Sequence, residues 1–359
     1  MNRNPDRQMS LYFATVLPGL ETLLAEELTA KVDGTSISEM ARAKVFFTSE
    51  ASLDRMKQLR MADNLYRVIS RFTVGRTRED LNRLEEQVSR LELRPFLRPG
   101  TFQVNASRTG RHAYSRFDAA RAAMNGVLRR YPRLAVSTGR PADTEFRLDL
   151  AERAAVFSLK LTDPAFRFRQ ARRSFSAAAL LPTVAHAMVW LSKPDASDIF
   201  LDPCCGSGTI LQERLCYPFT YAGGGDSSPE AVQTARTNLS GSYAEVMHWD
   251  ARSLPVSDGS ISKVVTNLPF GRQIKTADSI LDVNRAILRE SARILAPGGL
   301  AVLLSEGWDR IVAEAESCGL RLQAAYPLSL KGLHPVLYVF QAESTGIHDN
   351  SGDRPEPPV

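Results

Sequence analysis

DIFLDPCCGSGT, residues 198–209, carries the clearest indication of the fold of this chain. Its apolar start predicts a strand that ends at Asp202, followed by a glycine turn and a helix that runs to about Leu215. An acidic residue at the end of a first strand, followed by Gly-x-Gly, lets backbone approach a ligand without a collision with a Cβ atom. The run lacks the third glycine of a nicotinamide fingerprint and the lysine of a phosphate-binding loop. Taken alone, it is equally consistent with a tight turn packed by buried glycines.

Strand and helix signals alternate from this run through the rest of the C-terminal half. Further strands are predicted to end at Asp226 and Asp250, and ISKVV, residues 261–265, predicts a fourth. Pro229 suits the first position of a helix after a serine cap. An amphipathic helix, with Ile280, Leu281, Ile287, Leu288 and Ile294 on one side, precedes a fifth strand and another helix. The last two strands have no helix between them, so we expect an antiparallel hairpin.

This alternation with short loops indicates an α/β fold in which helices cover both faces of a mostly parallel sheet. Counting the final hairpin, the sheet has seven strands, of which the last is antiparallel.

The N-terminal half has a different pattern. Strands over LYFATVLP, AKVFFTSE and NLYRVISRFTVG alternate with two helices, which predicts a β-α-β-α-β unit of α+β type over about the first 72 residues. A second unit follows, with a helix, the strand TFQVNASRTG, another helix, and a hairpin of TEFRLDLAE and AAVFSLKL. An arginine-rich linker spans residues 164–182. Residues 345–359 are polar and proline-rich, so we expect them to be disordered.

Charge is unevenly distributed along the chain. The 359 residues carry a net charge of +5, but residues 1–180 hold 31 Lys and Arg against 20 Asp and Glu, whereas the rest hold 14 against 20. Arginine dominates the basic half and suits bidentate contacts with phosphate. The excess therefore suggests a polyanionic partner for the N-terminal half. A solvated, arginine-rich surface typical of a GC-rich genome is the alternative.

Several classes of protein are disfavoured by the composition. The sequence has no run of 18 apolar residues that would predict a transmembrane helix, and MNRNPDRQMS lacks the apolar middle of a signal peptide. The four cysteines have no zinc-site spacing and indicate a reduced setting. Cys204 and Cys205 suit packing better than nucleophilic attack. We therefore expect a cytoplasmic, monomeric protein without a metal and without contact to a membrane.

Three carboxylates are predicted at the ends of consecutive strands of the parallel sheet, Asp202, Asp226 and Asp250. The carboxyl ends of such strands border the crevice in which open α/β sheets bind ligands. A carboxylate at the tip of the second strand commonly accepts hydrogen bonds from ribose hydroxyls. Asp250 alone could equally cap a turn, but the three together predict a ligand site.

TNLPFGR, residues 266–272, ends the fourth strand beside the same crevice. Asn267 offers a side-chain carbonyl and the turn at Leu268–Pro269 fixes a backbone carbonyl, so that both hydrogens of a planar exocyclic amine could be accepted. Phe270 could stack on the ring that carries the amine. Two acceptors steer the delocalised lone pair of the amine towards an electrophile and stabilise the positive charge that develops on nitrogen. A strand-end turn with a packed phenylalanine is the alternative.

Four motifs in this order and spacing, DPCCGSGT, GGDSSPEAVQTARTNL, HWDARSLP and NLPFGR, resemble the S-adenosylmethionine-dependent methyltransferases of exocyclic amines. The NLPF version is similar to the group that acts on guanine N2 in RNA and carries an N-terminal THUMP region. YFATVLPGLETLLAEEL, FQVNASRTGRHAYSRFDAAR and LLPTVAHAMVWLS also resemble members of that group. The resemblance covers nearly residues 10–342.

The resemblance implies a set of domains and a cofactor. It assigns a ferredoxin-like domain to residues 1–72, a THUMP domain to 73–163 and a Rossmann-like class I methyltransferase domain to 183–344. S-adenosylmethionine is the implied cofactor. The implied binding set comprises Asp202, Cys204, Gly206, Ser207, Gly208, Thr209, Asp226, Ser227, Asp250, Ala251 and Asn267.

Carried over position by position, Asp202, Gly206 and Gly208 would line the methionine part of the cofactor. Asp226 would hold the ribose, Asp250 the adenine amine, and Asn267–Phe270 the target base. The family often has a second acid after the Asp226 position, where this chain has Ser228, which lowers the expected affinity. The glycine run before Asp226 would add flexibility.

In the basic half, Arg108, Arg111, His112 and Arg116 cluster near a helix start, where Ser115 and Asp118 have the spacing of a capping box. Arginines in such a place can grip phosphates, and Arg272 could add an RNA contact beside the target-base motif. The resemblance implies that this module docks the 3′ end of a tRNA. For His112, a packed or surface histidine is the alternative.

The leading hypothesis is transfer of a methyl group from S-adenosylmethionine to the exocyclic N2 amine of a guanosine in tRNA. Two alternatives remain, a methyltransferase on adenine N6 or on a glutamine amide, and a non-catalytic RNA-binding protein. The basic half argues against a protein substrate, and the intact motif at Asn267–Phe270 argues against lost catalysis.

Overall fold

The computed structural model describes residues 9–139, 141–169, 180–269, 277–306, 308–330 and 332–343. The chain divides into two units, residues 1–171 and 172–359, which are treated separately below. Phe270, Arg272, most of the expected linker and the expected disordered tail lie outside the described residues.

The first unit is built on an eight-stranded sheet. Its strands are β1 (Ser10–Thr15), β2 (Ser36–Ala41), β3 (Lys44–Ser49), β4 (Asn64–Thr73), β5 (Thr101–Thr109), β6 (Ala135–Val136), β7 (Thr144–Ala151) and β8 (Ala154–Lys160). They lie in the order β2-β3-β1-β4-β8-β7-β5-β6. Neighbours are antiparallel, except that β5 runs parallel to both β6 and β7.

The helices of this unit are α1 (Glu21–Lys31), α2 (Leu53–Met56), α3 (Asp80–Ser89), α4 (Arg116–Arg130) and α5 (Pro164–Phe168). One apolar core is formed where Leu84 of α3 and Val127 of α4 meet the aromatic side chains of the sheet. Phe146 and Phe157 stack there across β7 and β8, with ring centroids 5.2 Å apart. Burial of these large apolar side chains stabilises the unit.

Two differences from the predicted pattern concern this sheet. β2 was not predicted, and it forms an edge hairpin with β3, so the β-α-β-α-β description is wrong by one strand. The predicted hairpin of β7 and β8 is confirmed. The boundary expected near residue 72 lies inside β4, which pairs with β8, so one sheet joins the two expected N-terminal domains. Their division into a ferredoxin-like and a THUMP domain stays a prediction.

The second unit contains a seven-stranded sheet. Its strands are β9 (Ile199–Asp202), β10 (Tyr221–Asp226), β11 (Glu245–His248), β12 (Ile261–Asn267), β13 (Leu295–Ser305), β14 (Leu320–Pro327) and β15 (Val336–Ala342). The order is β11-β10-β9-β12-β13-β15-β14, and β15 is antiparallel to both of its neighbours. This confirms the predicted mostly parallel sheet with an antiparallel last strand.

The connecting helices are α6 (Pro182–Leu191), α7 (Thr209–Arg214), α8 (Pro229–Asn238), α9 (Ala277–Ile294) and α10 (Trp308–Ser317). The predicted serine cap of α8 is present, because the Ser228 hydroxyl oxygen accepts a hydrogen bond from the Ala231 N–H at 3.2 Å. The strand order reverses between β9 and β12, so that successive strands leave this point in opposite directions. Ligands of open α/β sheets bind at such a point.

The glycine run before Asp226 lies within strand β10 and is closely packed. The expectation that these glycines add flexibility is therefore wrong. A Cβ atom at Gly224 would lie 2.7 Å from the backbone oxygen of Asp202. At Gly225 it would lie 2.4 Å from the backbone oxygen of Met247 and 2.6 Å from the indole ring of Trp249. Glycine is therefore required at both positions for the strand and its neighbours to approach each other.

Across the described parts of the chain, no helix is both long and apolar enough to cross a lipid bilayer.

Candidate active site

A cavity of about 670 Å³ lies at the carboxyl ends of the parallel strands in the second unit. It is lined by Cys204–Ser207 after β9, Asp226–Ser228 at the end of β10, Asp250–Arg252 after β11 and Asn267–Pro269 at the end of β12. The volume is in the range of small-molecule sites. The four motifs that the sequence placed at this edge thus meet around one cavity.

The loop after β9 is shaped by two glycines with left-handed backbone. Gly206 has φ +53° and Gly208 has φ +83°. No described atom lies within 4 Å of the position that a Cβ of Gly206 would take, so a side chain there would project into the cavity that Gly206 lines. Gly208 does not line the cavity; it precedes α7, and a Cβ there would lie 2.9 Å from Leu239. Of the two predicted glycines, only Gly206 therefore lies where it could contact a ligand directly, and its contact stays a prediction.

Asp226 is held at the cavity by two backbone donors. Its Oδ2 accepts a hydrogen bond from the Gly206 N–H, and its Oδ1 accepts one from the Ser228 N–H, both at 3.0 Å. A carboxylate has about four acceptor positions, so two remain for hydroxyl donors such as those of a ribose. The arrangement also ties the glycine loop to β10, which gives Asp226 a structural role beside the predicted binding role.

Asp250 lines the cavity, but its carboxylate is already engaged. Arg252 donates to it from the backbone N–H at 2.9 Å, from Nε at 3.0 Å and from Nη2 at 2.7 Å. The hydrogen bonds from Arg252 hold the pKa of Asp250 below its ordinary value, so the group is an ionised acceptor. Arg252 itself lines the cavity and was missed in the sequence, where a basic residue two positions after an acid carries no distinctive signal.

Asp202 is placed differently from its prediction. It is fully buried behind the loop and does not line the cavity. Its Oδ1 accepts hydrogen bonds from the Thr266 hydroxyl at 2.7 Å and from the Cys204 N–H at 3.3 Å, whereas its Oδ2 has no partner among the described residues. Burial raises the pKa of this carboxyl to about 7. This geometry does not support direct contact of Asp202 with the methionine part of a cofactor. Asp202 instead supports the loop that lines the cavity.

Asn267 is the last residue of β12 and is followed by Leu268 and Pro269. These three residues are the described part of the turn that the sequence predicts, and they are called the turn below. The Leu268 N–H donates to the Leu304 carbonyl of β13 at 3.0 Å, which anchors the turn to the sheet. The Asn267 Oδ1 atom is buried and has no hydrogen-bond partner among the described residues, although Asn267 lines the cavity. A buried acceptor without a donor costs free energy, so its place in a ligand cavity points to a donor on the ligand.

The other predicted cofactor residues also line the cavity; they are Cys204, Ser207, Thr209, Ser227 and Ala251. Burial raises the pKa of the Cys204 and Cys205 thiols, so both are neutral near pH 7 and poor nucleophiles. Trp249 donates its indole N–H to the Pro203 carbonyl at 2.9 Å and so holds the loop from below.

An apolar wall of the cavity was missed in the sequence. It is formed by Leu180, Ile210, Val283 and Ile287. Val283 and Ile287 are four residues apart on α9 and therefore share one helix face. Their pattern is that of any core-facing helix, so only the position of α9 against the cavity distinguishes them.

These residues fit S-adenosylmethionine. The paired free acceptor positions of Asp226 match a ribose, Asp250 offers an ionised acceptor for an amine, and the open space at Gly206 admits backbone contact. Within the described residues, no group of three or more His, Cys, Asp and Glu side chains could hold a metal ion.

In the first unit, the predicted arginines lie on and beside the loop that joins β5 to α4: Arg108 is in β5, Arg111 is in the loop, and Arg116 is the first residue of α4. The loop is fixed by several hydrogen bonds. The Ala113 N–H donates to the Arg76 carbonyl at 2.8 Å, and the Tyr114 hydroxyl donates to the Gly75 carbonyl at 2.9 Å. The predicted capping box of Ser115 and Asp118 begins α4 directly after the loop. The loop is therefore preorganised.

The arginine and histidine side chains on and beside this loop differ in their exposure and in their contacts. Arg111 and Arg116 are exposed, and Arg108 is exposed while its Nη1 donates to the His112 carbonyl at 3.1 Å. His112 places its Nε2 atom 2.7 Å from the Glu152 carbonyl oxygen, so its ring supports the loop from inside. The three arginines are available to a polyanion, and the histidine is better explained as a structural residue.

Comparison with known proteins agrees with this geometry. The model of the RMKL-like methyltransferase domain matches residues 169–334. A protein of Thermus thermophilus named tRNA (guanine(6)-N2)-methyltransferase is 29% identical over 339 residues, which cover 91% of this chain and 98% of that protein. The crystal structure of TrmN from Thermus thermophilus is similar with a TM-score of 0.80 and 27% identity, covering 93% of this chain and 100% of that chain.

A cattle protein named tRNA (guanine(6)-N(2))-methyltransferase THUMP3 is 27% identical over 273 residues, which are 70% of this chain and 53% of that protein. The chain thus spans about half of the length of this mammalian relative. The resemblance drawn from the four sequence motifs is confirmed by these relatives. Residues 169–334 are thus similar to the RMKL-like methyltransferase domain, and most of the chain is similar in sequence and in fold to the Thermus methyltransferase.

Proposed function

We propose that the protein transfers the methyl group of S-adenosylmethionine to the exocyclic N2 amine of a guanosine in tRNA. The observation that carries the proposal is the Asn267 Oδ1 atom, a buried acceptor that lines the cavity and has no partner among the described residues. The names of the Thermus and cattle relatives support the choice of guanine N2 and of tRNA.

When bound, S-adenosylmethionine supplies an electrophilic methyl group on a sulfonium. Asp226 would hold its ribose through the acceptor positions left by Gly206 and Ser228. Asp250 would accept from its adenine amine after sharing its carboxylate with Arg252. The apolar wall of Ile210, Val283 and Ile287 excludes water from the opposite side.

Asn267 and the turn that follows it would hold the amine of the target base. The Asn267 Oδ1 atom and a backbone carbonyl of the turn accept its two hydrogens and so orient its lone pair. These acceptors also stabilise positive charge on nitrogen in the transition state, and they are oriented before the reaction because the turn is anchored to β13. A general base is not required, since the amine becomes strongly acidic once it is methylated.

The first unit would bind the RNA. Arg108 at the end of β5, Arg111 in the loop and Arg116 at the start of α4 are all exposed near the N-terminus of this helix, which favours contacts with phosphate. The +11 balance of residues 1–180 supports the same assignment. We further propose that the protein works in the cytoplasm as a monomer.

The direct test is methyl transfer from labelled S-adenosylmethionine to unmodified tRNA, followed by mass spectrometry of the nucleosides. N2-methylguanosine formed by the wild type, and formed about 10²- to 10³-fold more slowly by Asn267→Ala, is the expected result. N6-methyladenosine as the product would keep the amine chemistry and overturn the choice of guanine. The absence of any methylated nucleoside, with cofactor bound, would overturn the proposal.

A further inference from the structure

Asn284 is a buried polar residue on the apolar side of α9. Its side chain is 3% exposed, and its neighbours Val283 and Ile287 line the cavity. Its Nδ2 atom donates a hydrogen bond to the Pro269 carbonyl at 3.3 Å. This bond crosses from the helix to the turn that carries Asn267.

The turn is thereby restrained at two points. The Leu268 N–H donates to the Leu304 carbonyl of β13, and the Pro269 carbonyl accepts from Asn284 of α9. The bond from Asn284 thus holds the direction of the Pro269 carbonyl. Sheet and helix together therefore determine the orientation of the segment that Asn267 begins.

Helix packing alone does not account for an asparagine at this position. The Asn284 Oδ1 atom is buried and has no partner among the described residues, which costs free energy. Leucine has a similar shape and would fill the same place without that cost. The amide is therefore explained by the bond that its Nδ2 atom makes.

We propose that Asn284 is a positioning residue for methyl transfer. It holds the Pro269 carbonyl, and through it the turn, in the orientation in which Asn267 and the backbone meet the amine of the substrate. This inference rests on the proposed function in one respect: it assumes that the turn accepts hydrogen bonds from an amine of the substrate.

Ser291 provides a matched control on the same helix. It lies seven residues after Asn284, which is two helical turns, and so shares its face. Its side chain is 1% exposed, and its Oγ atom likewise has no partner among the described residues. The contacts described for the turn do not include it.

The test compares Asn284→Leu, Asn284→Gln and Ser291→Ala with the wild type. The measured quantities are the single-turnover rate constant with saturating S-adenosylmethionine and tRNA, the dissociation constants of both, and the fraction of active sites by burst titration. A small displacement of reacting groups can slow a reaction by about 100-fold. We expect Asn284→Leu to slow the step by about 10- to 100-fold, with both dissociation constants within about threefold of wild type.

Asn284→Gln keeps an amide donor, so its rate should lie between those of Asn284→Leu and the wild type. Ser291→Ala should react at the wild-type rate. Asn284→Leu at the wild-type rate per active site would overturn the proposal. An equal loss in Ser291→Ala would also overturn it, because the effect would then belong to the helix as a whole.

The outcome is separable from the proposed function. If the wild type methylates adenosine, the choice of guanine fails, and the ratio of rates between Asn284→Leu and the wild type still decides the role of Asn284.

Discussion

Asn267→Ala removes a side-chain oxygen that is buried at the cavity and free of described donors. Deleting one preorganised polar group of this kind costs about 10²–10³ in rate, or about 2.7–4 kcal/mol of transition-state stabilisation. Because no group of the described residues donates to Oδ1, its removal leaves none of their donors without a partner. Stability should therefore change little while the methyl-transfer step slows by two to three orders of magnitude.

The assay is a single turnover of enzyme-bound tRNA with labelled S-adenosylmethionine, followed by nucleoside analysis. Cofactor affinity, measured by calorimetry, should stay close to that of the wild type, since the ribose and adenine contacts are assigned to Asp226 and Asp250. Asn267→Asp is the matched variant: it keeps an acceptor and adds a charge, so its rate should exceed that of Asn267→Ala. N2-methylguanosine formed by Asn267→Ala at the wild-type rate would refute the reasoning.

Three further changes test other parts of the molecule. Asp226→Ala should weaken S-adenosylmethionine binding about tenfold or more in calorimetry, because a hydrogen bond to a charged group contributes about 1.5–3 kcal/mol; unchanged affinity would remove Asp226 from the site. Asp202 has its pKa raised to about 7, so the folded protein retains a proton that the unfolded chain releases above about pH 4. Wild-type stability should therefore fall relative to Asp202→Asn, by up to about 4 kcal/mol, as pH rises from 4 to beyond 7, and urea unfolding of both at pH 5 and 8 should show the gap widening. Replacing Arg108 and Arg111 together with alanine should weaken tRNA binding and flatten its salt dependence while cofactor affinity is retained; an unchanged salt slope would contradict their contact with phosphate.

Most of the second unit could be predicted from its sequence, because β9, β10, β12 and β13 are each followed by a helix with an ordinary sequence pattern. The same regularity placed Asp226, Asp250 and Asn267 at one edge, and the cavity there contains all three. Asp202 was misplaced, since its position at a strand end gives no sign that Thr266 and Cys204 enclose its carboxyl.

Features that depend on contacts between residues distant in the sequence could not be predicted from the sequence. β2, Ser36–Ala41, is largely exposed at a sheet edge, so it lacks the apolar alternation that marks a half-buried strand. Arg252 and Asn284 act through partners that the chain brings together only on folding. In the first unit, the sequence of the polar loop around Ala113 does not indicate the hydrogen bond from the Ala113 N–H to the Arg76 carbonyl that helps to fix the loop.

The close approach of strands at Gly224 and Gly225 has a consequence for genetics. Neither glycine lines the cavity, yet alanine at either position would push β10 away from the Asp202 backbone or from Trp249. Trp249 donates a hydrogen bond to the loop after β9, and Asp226 is the last residue of β10. A displacement of β10 would therefore reach both the loop and Asp226 at the cavity. A random screen for loss of the proposed methylation would therefore recover substitutions in this run as well as substitutions of residues that line the cavity, and a map of its hits would outline the strand as well as the pocket.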